Sequence, residues 1–179
     1  MRRPASAPPP PGVDAWTAPF AYSGVARELV ARVKYRNRRS AVPFLAAAVV
    51  DEVVASPALD HRRIDVVTWA PTTTQRRRER GFDHAALLAR AVAHALGLPA
   101  RSLLVREPGP PQTGRPSRER LEGPAMRPRR MAGGARVLVV DDIATTGATI
   151  AAAARALRSR GALTVVAATV ARTPAPGSD

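Results

Sequence analysis

The chain predicts an α/β fold built on a mainly parallel sheet, and three observations carry that prediction. Val137 to Val140 is a short, unbroken run of branched apolar residues, the mark of a strand covered on both faces. Ile64 to Ala70 carries a second such run, with Ile64, Val66, Val67 and Trp69. Between and after these runs lie stretches with helical spacing, so strands alternate with helices and the crossovers should be right-handed. With 179 residues and 45% hydrophobic content, one domain with a substantial core is expected.

Taken in order, Met1 to Gly12 is rich in proline, and residues 1–17 are expected to be disordered or extended. The main domain is expected over residues 18–172, followed by a disordered tail over 173–179. Ser23 should cap a helix from Gly24 to Tyr35 with Val25, Leu29 and Val33 on its buried face. Pro43 opens a second helix that Pro57 stops near Ala55. Pro71 ends the strand Ile64–Ala70. Asp83 is placed to cap a helix from His84 to Leu96, and Gly97 to end it. Ser102–Val105 reads as a strand. Arg106 to Gly134, dense in Pro, Gly and Arg, reads as a long mobile loop. The strand Val137–Val140 is followed by the acidic pair Asp141-Asp142, a Thr/Gly turn and a helix from Thr149 to Arg160. Leu163–Val170 is the last strand.

Composition narrows the function. No cysteine is present, so disulfides and thiolate metal sites are excluded. No stretch approaches a membrane span, and the N-terminus lacks an apolar signal core; a cytoplasmic protein is expected. The net charge is +14, and Lys34 is the only lysine among 28 basic residues. Such a surface attracts polyanions, either nucleic acid or a multiply phosphorylated substrate. The arginines are spread widely, which biased codon usage would also produce.

The chemistry concentrates after Val140. A helix start presents backbone N–H groups without intrahelical partners and the positive end of the helix dipole, which suits a phosphate. Gly147 allows close backbone approach, and Thr145, Thr146 and Thr149 add hydroxyl donors. Asp141 and Asp142, one step earlier, suit sugar hydroxyls or Mg²⁺. Phosphate at one end and a diol at the other describes a ribose 5-phosphate. A second constellation lies in the loop from Pro71 to Gly81, which carries Arg76, Arg77, Arg78 and Arg80 beside a helix start and suits a pyrophosphate. The histidines His61, His84 and His94 are expected in structural or solvent roles.

The run from Val137 to Thr149, with four apolar residues, two acidic, two variable, Thr-Thr-Gly, one variable and Thr, resembles the ribose-phosphate signature of the type I phosphoribosyltransferases. Over about Ser23 to Arg172 the chain is similar to one branch, the ComF-like (competence protein F-like) proteins. The motifs are Lys34-Tyr35, Trp69-Ala70-Pro71, Arg80-Gly81-Phe82, Gln112 eight residues ahead of Arg120, and Gly161-Ala162. This resemblance implies the type I phosphoribosyltransferase fold, with phosphoribosyl pyrophosphate and Mg²⁺ as ligands. It puts Asp141 and Asp142 on the ribose diol, and on Mg²⁺ directly or through water. It puts Ala144, Thr145, Thr146, Gly147, Ala148 and Thr149 around the 5-phosphate. Arg76, Arg77, Arg78 or Arg80 would stabilise the leaving pyrophosphate, with Lys34, Gln112 and Arg120 as further candidates for closing over the site.

The sequence departs from the branch in three places. ComF-like proteins usually begin with a four-cysteine zinc ribbon; here that module is either absent or encoded upstream of Met1. Asp83-His84 stands where Asn-Gln is usual, and Gly123 where an Asn is usual. Thr145 occupies the position at which 6-oxopurine salvage enzymes carry an Asp base, which disfavours that acceptor class. Two functions stay open: transfer of the phosphoribosyl group to a nitrogen acceptor, or non-catalytic binding of phosphoribosyl pyrophosphate or nucleic acid within competence (DNA uptake) machinery. The oligomeric state is open as well, a homodimer among the alternatives.

Overall fold

A computed structural model describes residues 3–4, 7–35, 39–73, 78, 81–107, 123–131 and 133–173. The strands are β1 (Ala15–Thr17), β2 (Phe20–Ala21), β3 (Val66–Trp69), β4 (Leu104–Arg106), β5 (Met126–Pro128), β6 (Arg136–Ala144) and β7 (Thr164–Arg172). The α-helices are α1 (Gly24–Tyr35), α2 (Val42–Ala55), α3 (His84–Leu96) and α4 (Ala148–Arg158).

The central sheet is parallel in every pairing, in the order β1-β7-β6-β3, with β2 joining β7 beyond β1. Its middle strands, β6 and β7, are buried along almost their whole length. Side chains alternate across a strand. Leu138 and Val140 therefore join the core under α2 and α3, while Val137 and Val139 join a second core with Ile150, Ala153 and Leu157 of α4. Helices α1, α2 and α3 on one face and α4 on the other explain the continuous apolar runs read in the sequence.

Several details differ from the expectations. Residues 1–17 are not all outside the fold: Ala15–Thr17 form β1 on the edge of β7, and Val13 is buried. The Asp14 carboxylate accepts two hydrogen bonds from the Arg158 guanidinium, at 2.6 and 2.7 Å, and another from the Val165 N–H. These bonds fasten a proline-rich stretch that lacks propensity of its own. Helix α1 buries Ala26 and Val30, while Val25 is exposed, so its apolar face is turned one position from the expected one. The strand expected at Ser102–Val105 is β4, and it lies outside the central sheet, pairing antiparallel with β5. That pairing also puts a strand inside the expected loop Arg106–Gly134. Among the described residues no helix is long and apolar enough to cross a membrane.

Candidate functional site

Strand β6 does not stop at Val140. It runs through Asp141, Asp142 and Ile143 to Ala144, in register with Thr169, Ala171 and Arg172 of β7. The acidic pair therefore lies within the last turn-ward residues of the strand, and alternation sends its side chains to opposite faces. Asp142 shares the face of Leu138 and Val140, toward α3; Asp141 shares the face of Val137 and Val139. Both are largely buried. The Asp142 N–H donates to Asp141 Oδ1 at 2.8 Å, and the Ile143 N–H donates to Asp142 Oδ1 at 2.7 Å. These local bonds fix the carboxylates against the backbone.

Three residues then turn the chain into α4. Thr145 and Thr146 are exposed, and Gly147 is buried. Gly147 caps the helix in the left-handed region at φ 75°, a conformation glycine adopts without strain. The Thr146 hydroxyl accepts from the Ala148 N–H at 3.3 Å. The first turn of α4, with Ala148 and Thr149, thus faces the carboxyl end of the sheet, where ligands of open parallel sheets bind. Two chain segments close around this helix start. Pro10 lies against Gly147, and Gly123 lies against the Ala148 carbonyl.

The first residues after β3 are tied to the start of α3. The Thr72 N–H donates to Asp83 Oδ2 at 3.2 Å, while Asp83 Oδ1 accepts from the Ala85 and Ala86 N–H groups, as the expected cap of α3. Arg78 is exposed. Arg76, Arg77, Arg80, Gln112 and Arg120 lie outside the described residues. Lys34 falls in the last turn of α1.

His84, the first residue of α3 and expected in a structural or solvent role, lies against the acidic pair. It is buried, and its Nε2 stands 2.6 Å from Asp142 Oδ2. The signal was its place directly after the cap of a helix whose start faces a strand end. Trp16 stacks under Arg172, whose guanidinium lies 4.9 Å from the ring centre. Partial burial pushes the Arg172 pKa down, and the group stays charged.

Among the described residues no group of three or more His, Asp or Glu could enclose a metal. Mg²⁺ does not need such a cage: it keeps several waters and takes one or two carboxylates together with substrate phosphates. The carboxylates of Asp141 and Asp142 face opposite sides of β6, so one of them at a time fits that mode directly, the other through water.

A second concentration of charge lies elsewhere. Arg101, Arg127, Arg129, Arg130 and Arg160 line an open groove of about 650 Å³ along the β4–β5 pair. No acidic side chain lines it among the described residues. Arg160 follows the far end of α4, whose 11 residues put about 16 Å of helix between it and the Gly147 turn.

Comparisons with known proteins agree with this architecture. The family model for the phosphoribosyl transferase domain matches residues 83–179, more than half of the chain. The structure of the allosteric regulatory enzyme of purine biosynthesis superposes with a TM-score of 0.52 at 23% identity. That match covers 78% of this chain and 30% of the other, so the chain spans under a third of that relative's length and shares its fold. No curated protein matches.

Proposed function

The chain belongs to the phosphoribosyl transferase domain family, and from that premise we propose that it binds phosphoribosyl pyrophosphate with Mg²⁺ and transfers the phosphoribosyl group to a nitrogen acceptor. The observation that carries this reading is the continuity of β6 with its turn: Asp141 and Asp142, then Thr145–Gly147, then the N-terminus of α4. The 5-phosphate would take the backbone N–H groups and threonine hydroxyls between Ala144 and Thr149. The ribose hydroxyls would donate to Asp142, with Asp141 behind the strand. The loop Pro71–Gly81, with Arg76, Arg77, Arg78 and Arg80, would receive the pyrophosphate.

In the reaction the acceptor nitrogen forms the bond to the ribose C1 as the C1–O bond to pyrophosphate breaks, and pyrophosphate leaves with that electron pair. The transition state has oxocarbenium character. The chain's work is to hold C1 in line between nucleophile and leaving group and to exclude water. Arginine donors stabilise the charge that grows on the pyrophosphate. Asp141 or Asp142, directly or through water, would hold Mg²⁺ together with the substrate phosphates, and the metal would supply further charge neutralisation there. Lys34, Gln112 and Arg120 are proposed to close over the site.

Within the family we assign the chain to the ComF-like branch, supported by Trp69-Ala70-Pro71 at the end of β3 and Gly81-Phe82 ahead of α3. The five-arginine groove supports a second reading, in which the chain binds nucleic acid as part of competence machinery and uses phosphoribosyl pyrophosphate as a signal.

Calorimetric titration of phosphoribosyl pyrophosphate with Mg²⁺ tests the first reading. The wild type should bind and the Asp141→Asn/Asp142→Asn variant should not, after which acceptors are screened by pyrophosphate release. A folded wild type that gives no heat of binding would sink it.

A further inference from the structure

The neighbourhood of Asp142 leaves its carboxylate little freedom. Oδ1 accepts from the Ile143 N–H at 2.7 Å, and Oδ2 lies 2.6 Å from His84 Nε2. The contact is a close histidine–carboxylate pair. The two side chains retain only 8% and 12% of their exposure. Val30, Val42, Leu45, Leu88 and Val170 surround them, with a cavity of about 10 Å³, room for one water at most. Within such walls a carboxylate without a donor is costly, so the pair is held strongly.

The imidazole is itself held. His84 is the first residue of α3, immediately after Asp83, whose carboxylate ties that helix start to the Thr72 N–H. One dipeptide therefore joins the strand-end loop after β3 to the acidic residue of β6. Each carboxylate oxygen has two acceptor lone pairs. With Oδ1 bonded to the Ile143 N–H and Oδ2 set against His84 Nε2, rotation of the Asp142 carboxylate is restricted, and with it the direction in which it can accept further hydrogen bonds.

We propose that His84 is a positioning residue for the ribose diol: through its Nε2, set against Asp142 Oδ2, it aims the carboxylate at the ribose hydroxyls of phosphoribosyl pyrophosphate. This rests on the proposed function and adds a residue to it. His84 touches no substrate in this arrangement; it acts through Asp142. Any side chain that delivers an N–H to the same point performs the same work, and an apolar one of similar size does not.

The test is calorimetry of the full chain with two probes, phosphoribosyl pyrophosphate with Mg²⁺ and inorganic pyrophosphate without metal. The variants are His84→Leu, His84→Gln and His84→Asn, with folding followed by circular dichroism. His84→Leu should weaken phosphoribosyl pyrophosphate by about tenfold or more, the low end of what losing an orienting partner costs at comparable sites. Glutamine reaches as far as Nε2 and should restore most of that affinity; asparagine is too short and should not. Pyrophosphate, which has no diol, should bind all four proteins alike. Equal phosphoribosyl pyrophosphate affinity in wild type and His84→Leu overturns the inference, as does a parallel loss of both probes. Should His84→Leu not fold, equal affinities of the Gln and Asn variants overturn it instead. A wild type that takes up no phosphoribosyl pyrophosphate overturns the proposed function and this inference together.

Discussion

Asp83 and Thr72 join the end of the third strand to the start of the third helix. Asp83 Oδ2 accepts from the Thr72 N–H at 3.2 Å while its other oxygen caps the helix through Ala85 and Ala86. The same carboxylate thus satisfies the helix start and holds Thr72, at the beginning of the stretch proposed for pyrophosphate. Asp83→Ala removes both sets of bonds. A lost cap costs about 1–2 kcal/mol, which lowers the melting temperature by roughly 2–8 °C in a chain of this size. Asp83→Asn keeps an acceptor for the helix and should lose less. Thermal melts of the two variants check this ordering; an alanine variant as stable as the wild type would contradict it.

Gly147 and Pro10 give the second prediction. Gly147 sits at φ 75°, and a Cβ there would come within 2.7 Å of Pro10 Cγ. Gly147→Ala therefore carries two penalties, backbone strain of about 1–2 kcal/mol and the clash with Pro10. Pro10→Ala should relieve the second and leave the first. The double variant is expected between Gly147→Ala and the wild type in denaturant midpoint. A double variant no more stable than Gly147→Ala would show that Pro10 does not press on the turn.

The main architecture was legible because its signals are local. The run Val137–Val140, the cap at Asp83 and the stop at Gly97 each specify their element through short-range chemistry, and helix α3 spans His84–Leu96 as expected. What escaped depends on distant partners. β1 exists because Asp14 finds Arg158, 144 residues away, and because the edge of β7 was open. β4 pairs with β5 across an intervening stretch whose composition reads as loop. The extension of β6 through two aspartates runs against strand propensity and is held by β7 beside it. His84 looked unremarkable because its partner lies on another element.

Gly123 and Gly97 form a natural control pair for close packing. Both are left-handed, at φ 73° and 68°, but nothing lies within 4 Å of a Cβ on Gly97, whereas one on Gly123 would run into the Ala148 carbonyl oxygen and approach Ala152 Cβ to 3.3 Å. Alanine at Gly97 should cost only the conformational strain, about 1–2 kcal/mol. Alanine at Gly123 adds the collision with backbone, about 1–3 kcal/mol more, and displaces the first turn of α4. Its affinity for phosphoribosyl pyrophosphate should fall while that of Gly97→Ala stays at the wild-type level. Chemical denaturation and calorimetry measure the two effects separately, and equal costs at both positions would refute the close packing.

Arg160 of the arginine groove and the Gly147 turn lie at opposite ends of α4, so the ligands of groove and turn should be separable. Arg127→Ala/Arg129→Ala removes two cations from the groove and none from the turn. Phosphoribosyl pyrophosphate should bind this variant as it binds the wild type. No aromatic side chain lines the groove among the described residues, so it offers phosphate contacts without a stacking platform. A single-stranded oligonucleotide should accordingly bind without sequence preference and strongly against salt, the slope of log K against log salt falling by about 0.7 per phosphate contact. Removing two arginines should flatten that slope by roughly 1.4. Fluorescence anisotropy over a salt series measures it. An unchanged slope would place any oligonucleotide elsewhere, and a joint loss of both ligands would mean that groove and turn serve one site.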